Sequence, residues 1–130
     1  HMQQSKLHGR SCFYSEEGTL LSESWFWEGK RVGKMLQYYP SGALYASLSY
    51  RDGKKEGPQE YYYENGKLKT KESWVNGKLH GVCTLYWPDQ QIKRKSHFKN
   101  GLRHGSDRFF DETGLLLEET EYVEGQCLEP

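Results

Sequence analysis

Gly-Pro-Gln-Glu-Tyr-Tyr-Tyr-Glu-Asn-Gly-Lys-Leu-Lys-Thr-Lys-Glu-Ser-Trp-Val-Asn-Gly-Lys-Leu-His, residues 57–80, decides how the chain is read. Tyr61-Tyr62-Tyr63 is an aromatic run with strand preference. Glu64-Asn65-Gly66-Lys67 is a turn, because Asn-Gly supplies the positive φ that tight hairpins need. Leu68–Val75 follows as a second strand, carrying Trp74 and the β-branched Thr70 and Val75. Asn76-Gly77 is a second such turn, and at Gly81 the pattern starts again. The stretch is one β-hairpin and the link to the next.

The same stretch recurs. Gly9, Gly33, Gly57, Gly81 and Gly105 are spaced by 24 residues, as are Gly29, Gly53, Gly77, Gly101 and Gly125. A third series runs Gly18, Gly42, Gly66, Gln90, Gly114. A fixed period of this size marks a repeat array. Five copies result, at 9–32, 33–56, 57–80, 81–104 and 105–128, with 1–8 a tag scar and N-terminal extension. His1-Met2 reads as an expression scar, so the natural N-terminus, with any signal or anchor it bore, is expected to lie outside this sequence.

Three further columns carry the packing. They are Tyr14, Tyr38, Tyr62, Tyr86, Phe110; then Leu20, Leu44, Leu68, Ile92, Leu116; then Phe26, Tyr50, Trp74, Phe98, Tyr122. Strand side chains alternate with period 2. The last two columns share a strand at an even offset and are expected on one face, joined by the first if the hairpin pairs Tyr14 with Leu20. The Gly18 and Gly29 columns lie at turns, where positive φ is cheap only for glycine. The Gly9 column opens strands, where a missing side chain admits a close neighbour. Gln90, in Pro88-Asp89-Gln90-Gln91, predicts a different turn in the fourth copy.

Composition agrees: ten Tyr, four Trp, five Phe and 14 Gly suit thin β-structure with frequent turns. Such a sheet buries no large core, so stability is expected from flat aromatic contacts between neighbouring copies. The fold class is all-β, an elongated array of five 24-residue hairpins in one twisted antiparallel sheet. No run is long and apolar enough for a transmembrane helix.

The pattern Gly-x4-Tyr-Tyr-x-x-Gly-x-Leu-x5-Tyr-x-x-Gly-Lys resembles MORN repeats, closest to the bacterial variant known as YwqK-family antitoxin modules. Residues 61–68 followed by 76–81 match it almost position for position, and the resemblance covers 9 to about 126. It implies hairpin arrays that act as scaffolds, dimerise or bind partner proteins, with lipid binding also proposed. The antitoxin variant implies neutralising a toxin by binding it.

Catalytic chemistry finds no support. No Gly-x-Ser-x-Gly elbow, P-loop or HExxH occurs. Glu16-Glu17, Asp111-Glu112 and Glu118-Glu119 lack the cleft that paired carboxylates need. His8, His80 and His104 share a column, but no Cys or carboxylate recurs beside them at ligand spacing, so no metal or cofactor is expected. Cys12, Cys83 and Cys127 form neither an even set nor a CxxC; read as free thiols, they favour the cytoplasm. Net charge is zero, with Lys and Arg in excess over 51–106 and acid over 107–130. Zero net charge and the acidic last copy disfavour nucleic acid.

Tyr39, Tyr63 and Trp87 follow the first aromatic column and Tyr61 precedes it, so all four face away from the ladders. Aromatics of this kind anchor protein interfaces. With Lys69, Lys71, Lys93 and Lys95 they form the expected partner-binding site. A curved sheet that packs these rings on its own strands is the alternative. The expected function is a non-enzymatic protein-interaction or scaffold module for a toxin- or effector-like partner. A membrane scaffold on anionic phospholipid, and self-association through the sheet ends, are the competing readings.

Overall fold

The computed structural model describes residues 8–128; residues 1–7 of the N-terminal extension lie outside them. The first two copies form β1 (Gly9–Tyr14), β2 (Leu20–Trp27), β3 (Lys30–Tyr38) and β4 (Leu44–Arg51). Then come β5 (Lys54–Lys55), β6 (Gly57–Tyr62), β7 (Leu68–Val75), β8 (Lys78–Leu79), β9 (Gly81–Tyr86) and β10 (Ile92–Lys99). The last are β11 (Leu102–Arg103), β12 (Gly105–Phe110), β13 (Leu116–Val123) and β14 (Gln126–Cys127). All belong to one open antiparallel sheet in the order β1-β2-β3-β4-β6-β7-β9-β10-β12-β13-β14, with β5, β8 and β11 on β4, β7 and β10. The all-β hairpin array read from the sequence is the fold.

Two turns alternate. At the second turn of each copy both central residues have positive φ, as in Asn76 (50°) and Gly77 (78°). This is the two-residue type I′ connection whose twist suits paired strands. At the first turn Gly66 has φ 90° and the loop closes through Tyr63 N–H to Lys67 O at 2.8 Å. Gln90 corrects an expectation: the turn there is the same, with φ 75° and the equivalent Trp87 N–H to Gln91 O bond at 2.8 Å. The flanking ladder imposes the loop, and the strain falls on the Gln90 backbone. Its side-chain amide, donating to Leu68 O at 2.9 Å, offsets part of that cost. A second correction concerns Gly9, Gly33 and Gly57. An added Cβ there would meet nothing within 4 Å, but φ is +87°, +66° and +88°. At these three, left-handed backbone, not close approach, selects glycine; at Gly81 and Gly105, also left-handed, an added Cβ would stand 3.4 Å from Ser73 and His97.

The third correction decides which residues become core. Tyr14 does pair with Leu20, Tyr38 with Leu44, Tyr62 with Leu68, Tyr86 with Ile92 and Phe110 with Leu116. The next pairs are Phe13 with Ser22, Gln37 with Ala46, Tyr61 with Thr70, Leu85 with Arg94 and Phe109 with Glu118. One residue per hairpin is therefore left over: Leu21, Tyr45, Lys69, Lys93 or Leu117. This β-bulge shifts the alternation by one. The Tyr14 and Leu20 columns share one face, here the ladder face. The Phe26 column lies on the opposite, stack face.

Most of the buried residues are on the stack face. Among the described residues the buried apolar ones are Ala46, Leu48 and Cys83, and Gln59, at 0% exposure, is the largest side chain fully enclosed. Gln59 replaces a missing strand partner. Its Oε1 accepts from Ser49 N–H at 2.9 Å and its Nε2 donates to Ser49 O at 2.9 Å. In the fifth copy the same column holds Asp107. It accepts from Arg94 (2.7 Å), Ser96 (2.7 Å) and Arg103 (2.9 Å).

Candidate partner-binding face

The ring pattern of the stack face begins with the Phe26 column. Between successive rings sits a residue from the column Arg31, Lys55, Leu79, Arg103, paired across the strand from Phe26, Tyr50, Trp74 and Phe98. The Arg31 guanidinium lies 5.4 Å from the Phe26 ring and 5.8 Å from Tyr50. Lys55 lies 4.7 Å from Trp74. Arg103 lies 5.1 Å from Phe98 and 5.9 Å from Tyr122. Cation and ring thus alternate along the array except at Leu79, each cation–ring contact contributing about 0.5–2 kcal/mol according to its desolvation. This column escaped the sequence reading; its 24-residue spacing was the available signal.

Tyr39, Tyr63 and Trp87 lie on the stack side and fasten each copy to the next. The Tyr39 hydroxyl donates to Tyr62 O at 2.7 Å, that of Tyr63 to Tyr86 O at 2.6 Å, and Trp87 Nε1 to Phe110 O at 3.1 Å. All three are half-buried. Their rings also meet the bulge residue of their own copy. Tyr39 meets Tyr45 edge to face at 5.2 Å, Tyr63 lies 5.7 Å from the Lys69 ammonium, and Trp87 lies 4.7 Å from that of Lys93. Tyr61 stands beside them, 6.0 Å from Tyr45.

Six of the eight residues singled out from sequence are therefore brought together: Tyr39, Tyr61, Tyr63, Trp87, Lys69 and Lys93. Lys71 and Lys95 are not. Both pair across from Thr84, Lys95 also pairs with Arg108, and they stand on the ladder face. The bulge explains the split: Lys69 and Lys71 are two positions apart, yet they point to opposite sides.

An open cavity of about 330 Å3, mostly apolar, spans the second to fourth copies and is lined by Tyr45, Tyr61, Lys69, Glu72, Cys83 and Leu85. Burial, then the Glu72 charge, pushes the Tyr61 hydroxyl up to about 12. The same two causes push the Cys83 thiol up to about 11, so it stays protonated and unreactive near neutrality. Glu72 accepts from Trp74 Nε1 at 2.9 Å. Tyr45, Glu72 and Cys83 were missed in the sequence because only the bulge brings Tyr45 round to this face.

The histidine column has a structural task. Nδ1 of His8, His80 and His104 accepts, at 3.2 Å each, the N–H of Glu28, Asn100 and Glu124, the first central residue of a type I′ turn. Glu56 serves Asn76 the same way at 3.0 Å. Among the described residues no group of three or more His, Cys, Asp or Glu side chains is placed to hold a metal ion.

Comparison with known families finds the MORN repeat variant over residues 31–52 and 55–76 and the MORN repeat over 73–92 and 95–106. The variant's two matches begin 24 residues apart, in step with the glycine columns. No curated protein matches the chain significantly. Such repeats are commonly interaction or scaffold modules and generally non-catalytic. The same hairpin geometry continues into 9–30 and 107–127 on either side of the matches. The chain carries MORN repeats over most of residues 31–106.

Proposed function

We propose that this chain is a non-enzymatic binding module that engages a protein partner through the stack face of its second to fourth copies. One observation carries the reading: the tyrosine-lined cavity across the second to fourth copies, with Tyr45 37% exposed at its mouth. Concave apolar sites with a few convergent polar groups are where ligands and anchor side chains bind. Tyr39, Tyr61, Tyr63 and Trp87 form its aromatic surround, with Lys69 and Lys93 at the rim. Lys71 and Lys95 act from the other face and leave binding unchanged. In its finer form the partner is a toxin, neutralised by occupation as the bacterial antitoxin resemblance implies. Capture on the immobilised chain, identification by mass spectrometry and calorimetry with the purified partner test this. Tyr45→Ala should abolish binding and Lys71→Ala should not; equal effects would sink the site.

A second reading, anionic phospholipid, is favoured by one feature. Lys30, Lys54 and Lys78 are exposed in a row along the type I′ edge, their stems over Gly53, Gly77 and Gly101 of the next turn. Co-sedimentation with phosphatidylserine vesicles at low and moderate salt separates the two, since the lipid reading requires salt-sensitive binding.

A further inference from the structure

We propose, building on the partner-binding reading, that the cavity between Tyr45 and Tyr61 receives an arginine side chain of the partner. The fold supplies its own template. Arg103 is held by two rings from successive copies, Phe98 and Tyr122, and by the Asp107 carboxylate at 2.9 Å. The cavity offers the same three parts without a guanidinium. Tyr45 comes from the second copy and Tyr61 from the third, meeting at 6.0 Å and 71° to form an aromatic corner. Glu72 supplies the carboxylate.

The acceptors are free. Glu72 Oε1 is engaged by Trp74, while Oε2 and the hydroxyls of Tyr45 and Tyr61 make no hydrogen bond among the described residues. Three acceptors beside a ring corner suit a planar group with five donors that is weakly hydrated and stacks on aromatic faces, which is arginine rather than lysine. A volume of about 330 Å3 is at the small end for ligand sites and has room for an arginine side chain. Lys69 stands at the rim with its ammonium over Tyr63, so it opposes an incoming cation.

The probe is Nα-acetyl-arginine methylamide, titrated into the 15N-labelled full chain, with the citrulline analogue as the neutral isostere. Saturable shifts are expected at Tyr45, Tyr61, Glu72 and Cys83, with arginine binding at least tenfold tighter than citrulline. Glu72→Gln, which keeps the acceptor for Trp74, should weaken arginine binding at least tenfold, and Tyr45→Ala should do the same. Lys69→Gln should tighten it severalfold. Equal affinity for citrulline, or shifts centred on Glu118–Glu121 instead, would overturn the arginine assignment. If partner capture still depends on Tyr45 in that case, the interaction face stands and only the arginine assignment fails. If Tyr45→Ala leaves partner capture untouched, the face itself is wrong.

Discussion

The two faces of the sheet bury different kinds of residue. On the stack face Gln59 is 0% and Ser96 2% exposed, whereas on the ladder face Ile92 is 36% and Leu116 44% exposed. Polarity alone would have assigned these the other way. The stack face encloses because cations and rings from successive copies interleave over it, and the polar side chains beneath complete backbone or ionic hydrogen bonds. The ladder face buries fewer residues, Ser47 and Thr84. Its ion pairs, Arg10 with Glu23 and Arg108 with Glu119, each at 2.6 Å, are reachable by solvent. In a thin repeat sheet, enclosure follows from which side chains cover which, and the bulge decides that.

The largest effect is expected at Asp107, the hub of the stack-face ion pairs. Asp107→Ala leaves Arg94, Arg103 and Ser96 without their acceptor and should lower stability by about 3 kcal/mol, read from urea unfolding. Glu119→Ala on the ladder face should cost at most about 0.5 kcal/mol; equal costs would erase the distinction. Burial alone would raise the Asp107 carboxyl, but hydrogen bonds from Arg94 and Ser96 and the charges of Arg94 and Arg103 hold it below its ordinary value. Its contribution is therefore present above the ordinary carboxylate pKa and lost as pH falls through the lowered one. Asp107→Asn should flatten the acid limb.

At high pH the cavity is the weak point. The Cys83 thiol, at about 11 against an ordinary 9.0, favours folding while neutral. That contribution is present below about pH 9 and lost between 9 and 11, on the order of 2 kcal/mol. Cys83→Ala should remove this slope, and a thiol reagent should label Cys127 well before Cys83. Next in size, Tyr63→Phe removes one inter-copy hydrogen bond and should cost about 1 kcal/mol in thermal unfolding. Smallest is Gln90→Gly, which relieves a left-handed residue but loses the bond to Leu68 O. A gain of about 0.5 kcal/mol is expected, and a loss would mean that the side-chain bond outweighs the strain.

Much of this architecture was legible in residues 57–80. Asn65-Gly66 and Asn76-Gly77 mark both turns, and the 24-residue period gives the copy number; the pairing of Tyr62 with Leu68 was only a condition there, which the structure meets. Parity was not legible. Even spacing between Leu68 and Trp74 predicts one face, and only a residue left out of register at Lys69 shows that they lie on two. Tyr39, Tyr63 and Trp87 were found as a stripe, but their polar tips gave no sign of the carbonyls they reach. The packing alternative for that stripe describes what the rings do, since Tyr39, Tyr63 and Trp87 bond to their own sheet, and Tyr45 and Tyr61 beside them frame an open cavity. Arg31 and Arg103 gave no sign of their place between rings, because one ring partner of each lies in its own copy and the other in the next.

The fasteners between copies have a mechanical consequence. The bonds from Tyr39, Tyr63 and Trp87 each span 23 residues, and those to His8, His80 and His104 span 20. Each ties a copy only to its neighbour. Antiparallel ladder bonds run perpendicular to the strands, so tension along the array loads them one row at a time, like a zip rather than a lap joint. Stretched between its first and last hairpins, the molecule should pay out in even steps of about 80 Å of contour, one per 24-residue copy.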